Sequence, residues 1–224
     1  MSGVGVALAI LAVANVMSNR VLPAAWYVPW NLLVAGVLVL HARRCATDAQ
    51  LGFGEWRRGA VFGATLFVLT GVVLLLAVAM PAFHELYEDR RVSGGVGTLL
   101  WQTVVRIPLG TVVLEEVAFR SVLPALFALR VGVLRGAVAA SVCFGLWHVL
   151  PAMSLNEVNP TATKVFGDGT AGVAAAVVFA VAGTTVAGLW WCWIRTRARS
   201  ILATMIAHVG TNSLAYLIAF VVAG

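Results

Sequence analysis

Two carboxylates and a guanidinium, Glu115, Glu116 and Arg120, fall within six consecutive residues of a stretch that is otherwise apolar. An ionisable side chain at bilayer depth costs about 2.5 to 3.5 kcal/mol on insertion scales, so three together require partners or a chemical task. Downstream, Phe144 with His148 and His208 with Asn212 repeat a four-residue spacing in two further apolar stretches. A carboxylate can accept a proton from water, an imidazole can orient or relay one, and a carboxamide can donate to a developing oxyanion. The pattern predicts one buried polar site assembled from three helices.

Residues four apart share a helix face. Glu116 is therefore placed to pair with Arg120, Phe144 to lie over His148, and His208 to stand beside Asn212. Glu115 is turned about 100° from Glu116 and faces elsewhere. The two carboxylates are thus expected to differ, Glu116 being neutralised by Arg120 and Glu115 being left to act as a general base.

The composition requires helices that can carry such a site inside a membrane. The chain is 61% hydrophobic and 11% charged, with a mean hydropathy of +0.96, against about 45 to 50% apolar content in soluble domains. Runs of about 20 apolar residues span the hydrocarbon core. Seven are predicted, at 3–19, 24–42, 59–83, 97–128, 132–152, 171–194 and 200–223. The first lacks a basic leader and a cleavage site, and is read as a retained helix. The fold expected is an all-α, polytopic membrane helix bundle of about seven transmembrane helices with a polar site inside it. It forms a single integral membrane domain, with N-terminal helices over 1–95 and a catalytic core over 96–224. Pro23 and Pro29 make the second run the weakest, and the stretch 151–170, with Pro151, Pro160, Gly167 and Gly169, reads as a long loop that could cap the site.

The net charge of +6 needs no nucleic-acid partner, because the basic residues lie between apolar runs, where they suit loops facing anionic lipid. Nine arginines, at 43, 44, 57, 58, 130, 135, 195, 197 and 199, fall on one side, against Arg20, Arg90, Arg91 and Lys164 on the other. The positive-inside rule places the N-terminus in the cytoplasm. From these anchors Glu115, His148 and His208 lie 15, 13 and 13 residues away, about 20 to 22 Å along each helix, so the polar groups are level. Trp26, Tyr27 and Trp30, and likewise Trp190, Trp191 and Trp193, read as interfacial belts, and Cys45, Cys143 and Cys192 as free thiols.

EExxxR at Glu115, Glu116 and Arg120, FxxxH at Phe144 and His148, and HxxxN at His208 and Asn212 together resemble the three motifs of the CAAX protease and bacteriocin-processing family, which are intramembrane glutamic endopeptidases. The resemblance covers about residues 98–220 and includes the flanks EEVAFRSVLPAL, SVCFGLWH and RSILATMIAHVGTNSL; Ser121 departs from the glycine common after the motif arginine. It implies Glu115 as general base on a water positioned with His148, His208 and Asn212 as oxyanion donors, and Glu116, Arg120 and Phe144 in support. It requires no cofactor and no metal. The substrate implied is a membrane-anchored protein or peptide, cut near the surface of a cell membrane. A single lysine among 15 basic residues suggests a bacterial source, where a sorting signal or bacteriocin precursor fits better than a prenylated tail.

Two other classes fit parts of the pattern. One Glu and two His can present a zinc site, although the HExxH spacing is absent. Buried carboxylates also serve proton-coupled transport, and a membrane bundle can bind a peptide toxin as an immunity protein. Taken singly, a Glu–Arg pair or a membrane histidine is structural as readily as chemical. Arg106, beside Pro108, either snorkels or lines a groove, and His84, Glu85, Glu88 and Asp89 read as a solvated loop.

Overall fold

The computed structural model describes residues 3–80, 87 and 92–223, and every regular element among them is a helix. Six helices are long and apolar enough to cross a membrane: Gly3–Val21, Ala24–Ala42, Asp48–Val78, Val133–Ala152, Gly169–Ala198 and Ile201–Val222. The remaining expected run is also helical, continuous over 96–131, but stands outside that set and carries Arg106, Glu115, Glu116 and Arg120. In chain order we label these α1 (Gly3–Val21), α2 (Ala24–Ala42), α3 (Trp56–Val78), α4 (96–131), α5 (Val133–Ala152), α6 (Gly169–Ala198) and α7 (Ile201–Val222). His84, Glu85, Glu88, Asp89, Arg90 and Arg91 lie outside the described residues.

Apolar residues at helical spacing explain how the outer helices attach. In α1, Val4, Ala7, Leu11 and Ala14 are buried on one stripe. In α2 the buried stripe is Asn31, Val34, Ala35, Leu38 and Ala42. The prolines that weakened this run in the sequence do no damage. Pro23 precedes the helix and Pro29 sits in its first turn, where a backbone N–H has no intrahelical acceptor to lose. Only Gly59 and Gly63 are buried in α3. A Cβ added at Gly59 would meet Ser200 Oγ at 2.6 Å, and one at Gly63 would meet Ile206 Cβ at 2.7 Å. This small-xxx-small stripe lets α3 approach α7 closely.

α4 is the central rod. Its residues 114–123 are all buried, so no face of that stretch is left to lipid. On either side of Glu115 and Glu116 the helix opens into wider turns, over Trp101–Val112 and Val117–Val122. Pro108 lies in the first of these and Pro124 just beyond the second, each removing a backbone donor that the wider turn re-accommodates.

α5 and α7 run antiparallel to α4. Phe144 and Trp147 of α5 face Phe119, and Trp147 reaches Glu115. His208 of α7 meets Glu116, and Ser213 Oγ donates to the Thr103 carbonyl at 2.9 Å. α2 is tied to the same rod by Asn31 Nδ2, which donates to the Gly110 carbonyl at 2.8 Å.

The stretch 151–170 departs from expectation. It holds two short helices, Leu155–Val158 and Pro160–Phe166, the second capped by Asn159, whose side chain accepts from the Ala162 N–H at 3.1 Å. Pro160, read from the sequence as part of a loop, is the N1 proline that follows the Asn159 N-cap.

Candidate active site

Glu115 and Glu116 are 6% and 0% exposed, Arg120 is 0% exposed and His208 is 6% exposed, so one buried cluster carries four ionisable groups. His208 organises it. Its Nδ1 lies 2.8 Å from Glu116 Oε1, and its Nε2 lies 3.1 Å from Asn212 Nδ2 and 3.8 Å from Glu115 Oε2. The Arg120 Nε is 3.6 Å from Glu116 Oε1. Glu116 is thus held between a guanidinium and an imidazole, while Glu115 receives the Trp147 indole N–H at 3.1 Å through Oε1 and turns Oε2 toward His208.

The tautomer follows from these partners. A carboxylate at Nδ1 fixes a proton there, so Nε2 of a neutral ring accepts from the Asn212 amide. With Glu116 ionised and Arg120 cationic, the cluster is electroneutral in two arrangements. Either Glu115 and the second His208 nitrogen carry one proton between them on the acid, or that proton sits on the ring. The second arrangement turns the Asn212 amide so that its oxygen faces Nε2. The two differ by one proton moved between Glu115 and His208.

Phe144 does more than seat His148. The Arg120 guanidinium carbon stands 3.8 Å from the Phe144 ring centroid, and His148 meets the same ring edge-on at 4.6 Å. No hydrogen-bond partner among the described residues reaches Nε or either terminal nitrogen of Arg120, so the aromatic face and Glu116 supply its electrostatic support. The four-residue spacing in α5 therefore joins the first motif to the second. His148 itself is half-buried, at a break where α5 changes from Val133–Trp147 to Val149–Ala152. Its Nδ1 is 2.8 Å from the Phe144 carbonyl, which leaves Nε2 for other partners.

The structure therefore brings Glu115, Glu116, Arg120, His208 and Asn212 into direct contact and sets Phe144 against Arg120. His148 stands one contact away, with no hydrogen bond or ion pair to Glu115 among the described residues. Trp147 was missed from the sequence, although as the residue before the motif histidine it placed an indole donor beside the motif. Trp191 was read as part of an aromatic belt, but it is half-buried and stacks on His208 at 6.1 Å, whereas Trp190 and Trp193 stack on each other at the exposed surface. Among the described residues no three His, Cys, Asp or Glu side chains are grouped to hold a metal ion.

A cavity of about 440 Å³ opens beside Asn212, between α4 and α7. Gln102 and Arg106 line it from α4, and Thr211, Asn212 and Tyr216 from α7. Arg106 thus faces a groove rather than snorkelling.

Such a bundle, with an acid–imidazole–amide cluster sealed inside it and a groove leading to it, is a multi-pass membrane protein built for chemistry within the bilayer. Residues 97–214, just over half of the chain, match the family of type II CAAX prenyl endopeptidases described as Rce1-like, and the chain belongs to that family. It is accordingly a CAAX-type intramembrane protease whose substrate is a membrane-associated protein. No curated protein and no solved structure matches the chain.

Proposed function

We propose that the protein hydrolyses a peptide bond of a membrane-anchored protein or peptide with a water activated by Glu115. What carries this reading is the unequal treatment of the two adjacent carboxylates. Glu116 Oε1 is met by both Arg120 and His208, whereas Glu115 keeps Oε2 at 3.8 Å from His208 Nε2, beyond direct hydrogen bonding, where a water beside the pair can touch both.

Glu115 takes a proton from that water as its oxygen attacks the scissile carbonyl carbon. The carbonyl π electrons move onto oxygen, and the resulting oxyanion is met by the Asn212 amide and by the protonated ring of His208, while the free Nε2 of His148 accepts from the attacking water. The same proton then passes from Glu115 to the leaving nitrogen as the C–N bond breaks, giving a carboxylic acid and an amine and returning Glu115 to its starting form. Glu116, Arg120 and Phe144 hold the field and the position of His208 throughout. The basic ends of the helices, with Arg130, Arg135 and Arg195, face the cytoplasm in this reading.

The test uses purified protein in lipid nanodiscs mixed with membrane proteins from a strain deleted for this gene, with new peptide termini read by mass spectrometry. Wild type generates termini that Glu115→Gln does not, with a rate loss of about 100- to 10,000-fold, as expected for removing a general base. Cleavage persists in the presence of chelator. Loss of cleavage on chelation would favour the zinc reading, and full activity in Glu115→Gln would end the glutamate reading.

A further inference from the structure

Among the described residues, Arg106 has no opposite charge beside it. It lies on α4 inside the bundle, its terminal nitrogen 3.4 Å from Gln102 Oε1 and its guanidinium carbon 4.4 Å from the Tyr27 ring centroid. No carboxylate among the described residues pairs with it. An intramembrane cation in that condition marks a ligand path. Tyr27 and Gln102 fix where the fork sits without neutralising it, and Tyr27 is itself held by Thr111 through a 3.1 Å hydroxyl contact. The cavity that Arg106 lines also exposes Asn212 of the catalytic cluster, and the Tyr216 hydroxyl on its opposite wall has no hydrogen-bond partner among the described residues.

We propose that Arg106, with Tyr216 as a second donor, docks a carboxylate of the substrate and so sets which bond reaches Glu115. This rests on the reading of Glu115 as the general base. A planar guanidinium binds a carboxylate through two parallel hydrogen bonds, and the hydroxyl fits beside them. Arg106 precedes Glu115 by nine residues, at most about 13 Å of helical rise. An extended peptide advances about 3.3 Å per residue, so the docked group lies about three or four residues from the scissile bond. The carboxylate is a free C-terminus or an Asp or Glu side chain in that position.

The test separates docking from cleavage. Glu115→Gln protein in nanodiscs is offered a pool of N-myristoylated octapeptides of degenerate sequence in three forms: free C-terminal acid, C-terminal amide, and C-terminal amide with a fixed penultimate Asp. Retained peptides are counted by mass spectrometry. Acid-bearing peptides are expected to be retained about ten-fold over plain amides, a preference lost in Arg106→Gln and partly kept in Arg106→Lys. Retention of the free acid alone identifies a terminal carboxylate, and retention of the Asp form as well admits a side chain. Equal retention of all forms, no retention of any, or a preference that survives Arg106→Gln overturns the proposal.

The active protein, given the same pool, shows which reading failed. A carboxylate preference without any cleavage leaves docking intact and refutes Glu115 as the base. Glu115-dependent cleavage that ignores the carboxylate refutes docking alone. For peptides that are cut, Arg106→Gln is expected to raise KM about ten-fold with kcat within about two-fold, a split that a merely structural residue would not give.

Discussion

Adjacent residues in one helix turn are chemically identical at Glu115 and Glu116, yet their surroundings differ. Glu116 is buried completely, and its Oε1 touches two cationic or cation-forming groups. Glu115 touches one neutral donor, the Trp147 indole, and its Oε2 lies 3.8 Å from His208 Nε2. The indole is therefore a positioning group for the proposed base. Replacing Trp147 with Phe keeps the aromatic packing on Phe119 and removes a hydrogen bond to a charged acceptor worth about 1.5 to 3 kcal/mol, so kcat should fall about ten- to hundred-fold with KM little changed. Steady-state kinetics on any peptide the wild type cleaves decides it, and an unaltered kcat would detach Trp147 from the site.

Among elements, α4 and α7 matter most, because both widen at the motifs. Turns over Val117–Val122 and Gly210–Leu214 follow Glu116 and His208 directly, and such insertions re-aim side chains that a regular helix would fan evenly around its axis. α7 is in turn positioned from outside by α3, whose Gly59 and Gly63 leave no room for a side chain against Ser200 and Ile206. Gly63→Leu should separate these helices and lower the thermal midpoint in detergent by an amount equivalent to about 1 to 3 kcal/mol. Gly36→Leu, at a position of α2 with nothing within 4 Å, should leave it unchanged. Equal midpoints for both variants would show that the α3–α7 contact carries no stability.

For the whole molecule, the basic ends of the bundle form a physical unit. Arg195 at the end of α6 donates to the Gln50 carbonyl in the α2–α3 connection, and the Ile201 N–H donates to the Gly52 carbonyl at 2.9 Å. Cys45, in that same connection, is exposed, while Cys192 is buried. In a variant keeping only Cys45 among the cysteines, a membrane-impermeant maleimide should label the protein after the cytoplasmic face is opened and not from the outside of intact cells. Labelling from outside would invert the orientation drawn from the arginines.

Much of this was legible in the sequence because it rests on periodicities a single chain carries. Apolar runs of the right length marked the helices, i,i+4 spacing paired Glu116 with Arg120 and His208 with Asn212, and distance from the arginine anchors put three polar spots at one depth. Those quantities depend only on the rise and turn of a helix. Which groups meet across helices does not, because rotation about each axis is settled by packing. That is why Phe144 proved to carry Arg120, why Trp147 rather than a charged residue holds Glu115, and why Trp191 left the aromatic belt to stack on His208. The short helices in 151–170 escaped for a related reason, since a proline after an asparagine ends one helix or starts another depending on what the following residues can bury. The sequence alone determined a membrane bundle with an acid, imidazole and amide at one level; the tertiary structure decided which carboxylate meets both a guanidinium and an imidazole and which meets an indole, because burial and partner geometry exist only once the helices have packed.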